Sequence, residues 1–516
     1  MPRRFTPLIA SHSKFGCYFC KKRRKKCDEM KPTCSSCLKR SIECVYPENV
    51  PSSNTKAGVR KTRKSGSAAN KHNPTALTNH RERTAIGDIW ALATTSTLSF
   101  ACVPEMKMFD MENLYTPATP SNSVDAPVDL YIFAYAEHFS KILIPPQGLP
   151  RGLFTNSQVQ DWGERKELFT LRRACGAFYL AYAGSADASE RAVDCYLLGL
   201  RELRNSLATT DSFFFDYWIT AAVLTLVVLE KTFYASATRA IYHLRCALHL
   251  FGNNLRMIIR VAQSKKVVLS IDNLLLADSI LYNSSVLIIF CAEKDRRLLC
   301  PPDQFEYLYQ LAKNSLPRSP DFKWGWQPIT GCCQTLFYVV YQASQLAHES
   351  RSRIIEISEI DRLQKILIDW NEWQMEQVMT SADIHASIES NIIIGRIYFW
   401  VLQILLLYIR DPTMMASHSD VQFCVNEAVL LTYEVSHNVN CIMVLWAMAV
   451  LGLSVVDFET RANLHTNLMR MGDTLHSFIP RKIKTAHELV WNDMIYTRPG
   501  LAVILSDELS AMDIAL

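Results

Sequence analysis

Secretory and catalytic signatures are both missing from this sequence of 516 residues. Its N-terminus, Met-Pro-Arg-Arg-Phe, has no apolar h-region, so we expect no secretory signal. Thiols stay reduced in a chain that is not exported, and the sixteen cysteines are therefore not expected to form a disulfide framework. The sequence also has no GxGxxG after a strand, no GxSxG, no HExxH and no P-loop. These absences predict a protein that is not an enzyme.

Strand signals are missing as well. No alternation of apolar and polar residues is sustained, and the hairpin dipeptides Asn-Gly and Asp-Gly do not occur. From about Val128 onward, helical segments of 15 to 25 residues follow one another, separated by turns rich in Gly, Pro, Asn or Ser. This pattern predicts a mostly α fold, in which residues 126–516 form a large all-α domain of ten or more helices.

Uncharged runs of membrane-spanning length are rare. Residues 438–456 form one such run, nineteen residues without a charge, but the run has no basic flank. It lies among apolar helical segments that are interrupted by Arg, Asp or Glu. We interpret it as a buried helix of a large core and predict no membrane partner.

Positive charge is concentrated at one end of the chain. Residues 1–83 contain 20 lysines and arginines against 5 acidic residues, whereas the remainder contains 35 against 45. A basic N-terminal part attached to an acidic body predicts that a polyanion binds the N-terminal part alone.

Composition also divides the N-terminal part. Residues 1–13 are a polar tail, residues 14–46 form a cysteine-rich module, and residues 47–125 form a linker that is first basic and then rich in Pro, Ser and Thr. The linker has no apolar periodicity and no a/d heptad of a coiled coil. Monomer and homodimer therefore both stay open.

Six cysteines repeat at regular intervals in the module, and the pattern superimposes on itself after a shift of 17 positions. They are Cys17, Cys20, Cys27, Cys34, Cys37 and Cys44. Tetrahedral zinc takes four N or S ligands, and no histidine lies between the first and last of these cysteines, so the predicted ligands are all sulfur. Six thiolates make either one site with two left over or two sites that share ligands. The repeat favours two zinc ions per chain, bridged by equivalent positions in the two halves.

Six consecutive cations stand between the second and third cysteines: Lys21, Lys22, Arg23, Arg24, Lys25 and Lys26. A short helix there presents a dense positive face to phosphates and base edges of double-stranded DNA. The second half has only Lys39 and Arg40, beside an apolar face of Leu38 and Ile42. We therefore predict that the first half reads DNA and the second half supports it.

The module has other interpretations. A basic run alone is typical of a solvated face or of a nuclear localisation signal, and the second of these predicts a nuclear protein. A cysteine cluster without histidine also occurs in metallothionein-like metal stores, but a store has no need of a large helical domain.

Residues 17–46 resemble the fungal Zn2Cys6 binuclear-cluster DNA-binding domain in the spacing of all six cysteines, in the basic stretch that ends at Cys27-Asp28, and in Pro32 and Tyr46. The resemblance implies that Cys17 and Cys34 bridge the two zinc ions. It also implies that Cys20 and Cys27 complete one site, and Cys37 and Cys44 the other.

The same resemblance implies the DNA contacts. In that family the third and fourth residues after the second cysteine reach base edges, commonly of CGG triplets, and here these residues are Arg23 and Arg24. The sequence departs from the usual pattern at Lys21, where Arg is more common, and at Arg24, where Lys is more common.

The helical part resembles the fungal-specific transcription factor domain. One matching segment is AAVLTLVVLEKTFYASATRAIYHLRCALHLF, an apolar helix that ends in Glu and precedes a His-Leu-x-x-Ala helix; the other is LWAMAVLGLSVVDFETRANLHTNLMRMG. The resemblance implies a regulator of RNA polymerase II transcription that works with the transcription machinery or co-regulators, in many members on a local biosynthetic gene cluster. The alternative is a small-molecule-responsive sensor or repressor that uses the helical domain as a ligand pocket.

The stretch SDELSAMDIAL, residues 506–516, alternates acidic and apolar residues. Such alternation is typical of an activation segment, and we expect an activator. A capped last helix explains the same residues without any activating role.

Overall fold

The computed structural model of the chain describes residues 28, 34–38, 129–140, 165–209, 217–261, 267–315, 329–330, 334–380, 386–437, 439–493 and 497–516. The chain divides into two compact units, residues 1–73 and residues 74–516. In the first unit the structure describes one short helix, α1, Ser35–Leu38.

Helices make up almost all of the described part of the second unit. A first helix, α2 (Leu130–Ala134), continues as a π-helical turn, Tyr135–Phe139. The others are α3 Lys166–Tyr182, α4 Ala186–Thr209, α5 Tyr217–Leu229, α6 Ala237–Val261, α7 Ile271–Leu287, α8 Glu293–Arg296, α9 Pro302–Ser315, α10 Gln334–Glu349, α11 Ile357–Thr380, α12 Ala386–Arg410, α13 Ser419–Val435, α14 Leu445–Gly452, α15 Phe458–Leu475, α16 Ile479–Asp493, α17 Gly500–Ile504 and α18 Asp507–Ala511.

The predicted mostly α fold is confirmed. Across the ranges that the structure describes there is no strand, and the sole β-type pairing is an isolated antiparallel bridge between Ser236 and Ile514. One hydrophobic core of buried side chains extends from Phe139 to Leu516. The stacked rings of Tyr398 and Trp446, 5.7 Å apart at their centroids, lie fully inside it.

The uncharged run at 438–456 is a buried element, as its surroundings in the sequence predict. Its described part forms a 3-10 turn, Val439–Val444, and then α14, in which every residue is buried. Two described helical stretches, Tyr217–Tyr234 and Glu389–Arg410, have the length and hydropathy of a membrane span, but 78% and 61% of their most apolar 18-residue windows are buried inside the fold. Burial in a core explains their composition.

Aspartates cap the starts of two helices. Asp129 accepts hydrogen bonds from the backbone N–H groups of Tyr131 (3.1 Å) and Ile132 (3.4 Å). Asp457 accepts from the N–H of Thr460 at 2.7 Å. Side-chain caps of this kind satisfy donors that a helix leaves unpaired in its first turn.

A glycine brings α2 close to α3. A Cβ added at Gly176, in the middle of α3, would lie 1.8 Å from the carbonyl oxygen of Tyr131. Backbone cannot move aside as a flexible side chain can, so only glycine permits this approach. The contact fixes the position of Tyr135 in the π-helical turn that follows α2.

Helix α5 ends in an irregular turn that carries charge into the core. After Leu229 the chain forms a π-helical turn, Glu230–Tyr234, and then Ala235 adopts a left-handed conformation with φ 47°. Glu230, Lys231 and Thr232 are all buried, although α5 itself is almost entirely apolar. Single π-helical turns are rare and frequently occur at functional sites.

Candidate metal centre and a cationic cavity

The structure describes two of the six predicted zinc ligands, Cys34 and Cys37. Both are fully buried. The other predicted ligands and the predicted DNA contacts lie outside the described residues: Cys17, Cys20, Cys27, Cys44, Lys21, Lys22, Arg23, Arg24, Lys25, Lys26, Lys39 and Arg40.

Cys34 and Cys37 belong to one helical turn. The N–H of Cys37 donates to the carbonyl oxygen of Cys34 at 3.0 Å, which closes the turn at the start of α1. Asp28 stabilises the same turn, because its carboxylate oxygens accept from the N–H of Ser35 at 3.0 and 3.3 Å. A residue next to Cys27 is thereby joined to a residue next to Cys34, one from each half of the cysteine repeat.

This turn fits a zinc site. Two cysteines three residues apart on a helical turn lie on the same face, and Cys-x2-Cys is the usual spacing for two thiolates on one zinc ion. Among the residues described here, no group of three or more His, Cys, Asp or Glu side chains could hold a metal. Cys34 and Cys37 are therefore half of a candidate site, and zinc bound there would supply structural stability.

The cysteines that the structure describes outside the module are small buried side chains. Cys175 and Cys441 are fully buried. Burial raises the pKa of Cys291 and of Cys300 to about 12, so these thiols stay protonated and unreactive at neutral pH.

Glu230 forms a buried polar cluster that the sequence analysis did not identify. Its carboxylate accepts a hydrogen bond from the hydroxyl of Tyr196, and it lies 3.7 Å from Arg239 and 3.8 Å from His243. Burial and then the nearby Glu230 raise the pKa of Tyr196 well above its ordinary value. His243, itself buried, thus faces a carboxylate inside the core.

Lys231, the next residue, has no Asp or Glu partner among the described residues. Its Nζ donates to Oδ1 of Asn283 at 2.9 Å and lies 4.9 Å from the centre of the Tyr282 ring. Asn283 is in turn oriented by a hydrogen bond from its Nδ2 to the carbonyl oxygen of Ser279, at 2.8 Å. Burial lowers the pKa of Lys231 from 10.5 to about 7.

Lys231 lies in the wall of a cavity of about 150 Å³. Most of the wall is apolar, with Leu, Ile, Val and Met side chains from α5, α7 and other elements. Arg172 of α3 and Lys231 are the cations of this wall, and none of its described residues is Asp or Glu. The hydroxyl of Thr232, another wall residue, is buried without a hydrogen-bond partner in the described structure.

Part of the wall is fixed by a buried carboxylate. Asp278 accepts hydrogen bonds from the N–H of Ile329 at 2.7 Å and from the N–H of Thr330 at 3.0 Å. Burial raises the pKa of Asp278 to about 6, and these hydrogen bonds act in the opposite direction. Ile329, held in this way, completes one side of the cavity.

Residues 506–516 form the capped last helix that the sequence allowed as an alternative to an activation segment. Ser506 caps α18 by accepting from the N–H of Leu509 at 3.3 Å. The apolar residues Leu509, Ile514 and Leu516 are buried, whereas Asp507 and Glu508 are exposed. The apolar half of the alternating pattern therefore belongs to the core.

Comparison with known proteins places both units. Residues 135–493 match the fungal specific transcription factor domain. The chain belongs to this family. Residues 15–53 match the fungal Zn(2)-Cys(6) binuclear cluster domain, which implies binding of zinc and of DNA. Both are transcription factor domains and neither is an enzyme family.

A curated relative matches a short part of the chain. The lysine biosynthesis regulatory protein LYS14 of Saccharomyces cerevisiae is 53% identical over 38 residues, which is 7% of this chain and 5% of the relative. The match thus spans about a twentieth of the relative's length. No solved structure matches the chain.

Proposed function

We propose that the protein is a zinc-dependent, sequence-specific regulator of RNA polymerase II transcription that acts in the nucleus. The observation that carries this proposal is the presence in one chain of the cluster domain at 15–53 and the fungal specific transcription factor domain at 135–493. The basic residues 21–26 and the acidic body support a division of labour, in which the N-terminal unit binds DNA and the helical unit contacts co-regulators.

Two zinc ions per chain are part of the proposal, held by the six cysteines of residues 17–44. Cys17 and Cys34 are proposed to bridge the ions, as the family resemblance implies. The burial of Cys34 and Cys37 in one turn supports their assignment as ligands. Zinc would supply the folding free energy that so short a module cannot obtain from a hydrophobic core.

Arg23 and Arg24 are proposed to read a CGG-type triplet. A guanidinium can donate two hydrogen bonds to O6 and N7 of guanine, and such a contact gives roughly 1–3 kcal/mol of discrimination. Lys39 and Arg40 are proposed to contact phosphates, which set register and affinity without reading sequence. Lys21, Lys22, Lys25 and Lys26 would add to the same phosphate attraction.

Selection on randomised double-stranded DNA tests this assignment. The wild-type chain should select a triplet that contains guanine, and Arg24→Ala should relax the preference at one position. Lys39→Ala should keep the preferred sequence and weaken binding to every sequence. It should also reduce the slope of the logarithm of the binding constant against the logarithm of the salt concentration by about 1. A changed preference in Lys39→Ala together with uniform weakening in Arg24→Ala would contradict the proposal.

Activation of a local biosynthetic gene cluster is proposed as the outcome of DNA binding, by either a monomer or a homodimer. Residues 506–516 give no support for activation, because their apolar side chains are buried in the helical domain. A reporter gene under the selected site, measured with and without the full chain, distinguishes activation from repression.

A further inference from the structure

The cavity beside Lys231 goes beyond the proposed function, since DNA binding makes no use of it. Its wall contains two cationic side chains, Lys231 and Arg172, and no Asp or Glu side chain among the residues described. A wall with cations and no acidic side chain is electrostatically complementary to an anion.

The donors of Lys231 are incompletely used. A lysine ammonium has three N–H donors, and the structure shows one acceptor, Oδ1 of Asn283. Two further donors at the cavity, Nε of Arg172 and the hydroxyl of Thr232, are buried without a hydrogen-bond partner in the described residues. Buried polar groups normally have partners, so oxygen acceptors are missing from this wall.

Size and polarity restrict what could supply those oxygens. A cavity of about 150 Å³ has the volume that accommodates a benzene ring in an engineered protein core. Because most of the wall is apolar, the greater part of a guest must also be apolar. One end of the guest must meet Lys231, whose position is fixed by Asn283 and by the face of the Tyr282 ring.

We propose that this cavity binds a small apolar monocarboxylic acid, about the size of one aromatic ring, with its carboxylate on Lys231 and Arg172 and its apolar part among the side chains of α5 and α7. A carboxylate offers two oxygens, each of which accepts more than one hydrogen bond. It would satisfy the unused donors of Lys231, Arg172 and Thr232 together. A charge-assisted pair in such a site is stronger than a neutral hydrogen bond.

Burial of Lys231 without an acidic partner supports this assignment. Burial lowers the pKa of Lys231 to about 7, because the surrounding side chains do not replace the hydration that the ammonium loses. A bound carboxylate would stabilise the ammonium and raise that pKa. The π-helical turn that holds Lys231 also contacts the residue that precedes α16, because the carbonyl oxygen of Thr232 accepts from the N–H of Phe478 at 3.1 Å.

Isothermal titration of the full-length chain with sodium benzoate and with benzamide tests the proposal. The two probes share shape and ring, and only benzoate carries the charge. We expect saturable one-to-one binding of benzoate and at least tenfold weaker binding of benzamide. Equal affinities for benzoate and benzamide would overturn the proposal. So would the absence of saturable binding both of benzoate and of hexanoate, an unbranched carboxylate of six carbons.

Variants then locate the site. Lys231→Met should weaken benzoate binding at least tenfold and leave benzamide binding unchanged, whereas Val228→Phe, which fills the cavity from α5, should abolish both. Lys313→Met is the matched control, because Lys313 also lies over a tyrosine ring, that of Tyr309, but is exposed and outside the cavity. Unchanged benzoate binding in both Lys231→Met and Val228→Phe would show that benzoate binds elsewhere and overturn the proposal.

Discussion

Lys231 and Asn283 form a hydrogen bond of 2.9 Å between Nζ and Oδ1, inside the core of the helical unit. The lysine is 4% exposed, and no described carboxylate pairs with it. Burial lowers its pKa from 10.5 to about 7, so the unfolded chain binds the proton more tightly than the folded chain does. The residue therefore destabilises the folded state at every pH at which the unfolded chain is protonated. A buried lysine that costs stability is a common mark of a residue retained for function.

We expect Lys231→Met to be more stable than wild type at pH 6, by about 3–5 kcal/mol in the free energy of unfolding. The folded-state pKa lies below the unfolded value, so the destabilisation is complete below about pH 7 and disappears as the pH rises towards 10.5. The gain in the variant should therefore be smaller at pH 9 than at pH 6. Denaturant unfolding at both pH values measures it. Lower stability of the variant at both would show that Lys231 contributes favourably to the fold.

Gly176→Ala is expected to destabilise the helical unit by about 1–3 kcal/mol or more, because the added Cβ meets the carbonyl oxygen of Tyr131 at 1.8 Å. Thermal unfolding of the full chain measures the loss. Gly252→Ala is the matched control, since Gly252 is also inside a helix and a Cβ there has no atom within 4 Å. It should gain up to about 1 kcal/mol from helix propensity. Equal effects of the two substitutions would contradict the close approach of α2 to α3.

Asp513→Ala is expected to reduce the free energy of unfolding by about 1–3 kcal/mol. The carboxylate of Asp513 accepts from the hydroxyl of Ser236 and from the N–H of Thr238, each at 2.6 Å, and so caps the start of α6. Its left-handed backbone, φ 53°, also disfavours alanine. Asp513→Asn, which keeps one acceptor and tolerates that backbone, should recover part of the loss.

Glu508→Ala is the control for this segment, because Glu508 is exposed and its ion pair with Arg498 lies at the surface. Its unfolding curve should coincide with that of wild type. A peptide of residues 506–516, fused to an unrelated DNA-binding domain, should not activate a reporter gene, because the apolar side chains of this segment are buried in the core. Strong activation by the fusion would restore the interpretation of the segment as an activator.

Metal analysis of the purified full chain should find two zinc ions. Cys17→Ala removes a proposed bridging ligand and should disturb both ions, whereas Cys44→Ala should disturb mainly one. Zinc quantification by mass spectrometry, with gel filtration to confirm a folded chain, measures the difference. A single ion in the wild-type chain would contradict the bridged cluster.

The fold class could be predicted from the sequence because helical periodicity and the absence of hairpin dipeptides are local properties. The buried run at 438–456 was also predictable, because apolar helices on either side of it carry charges and cannot all span a membrane. Residues 17–44 predict zinc ligands by spacing alone, since metal coordination demands a fixed set of thiolates at short range.

The cavity and the Glu230 cluster could not be predicted in the same way. Their residues come from helices separated by dozens of positions, such as Tyr196 with Glu230 and Lys231 with Asn283. The one local signal was the pair Glu230-Lys231 at the end of an otherwise uncharged helix. In the sequence this pair resembles an ordinary helix end, and only the packing of α7 and α16 around it shows that both charges are buried.

Because Asp513 caps α6 from 275 positions further along the chain, the order of synthesis matters for this domain. While the ribosome is still adding residues before 513, the first turn of α6 has backbone donors without their partner, and Ser236 lacks its bridge to Ile514. Contacts so distant in sequence form late and slow the final folding step. The first turn of α6 is therefore completed only after the last residues of the domain have been made.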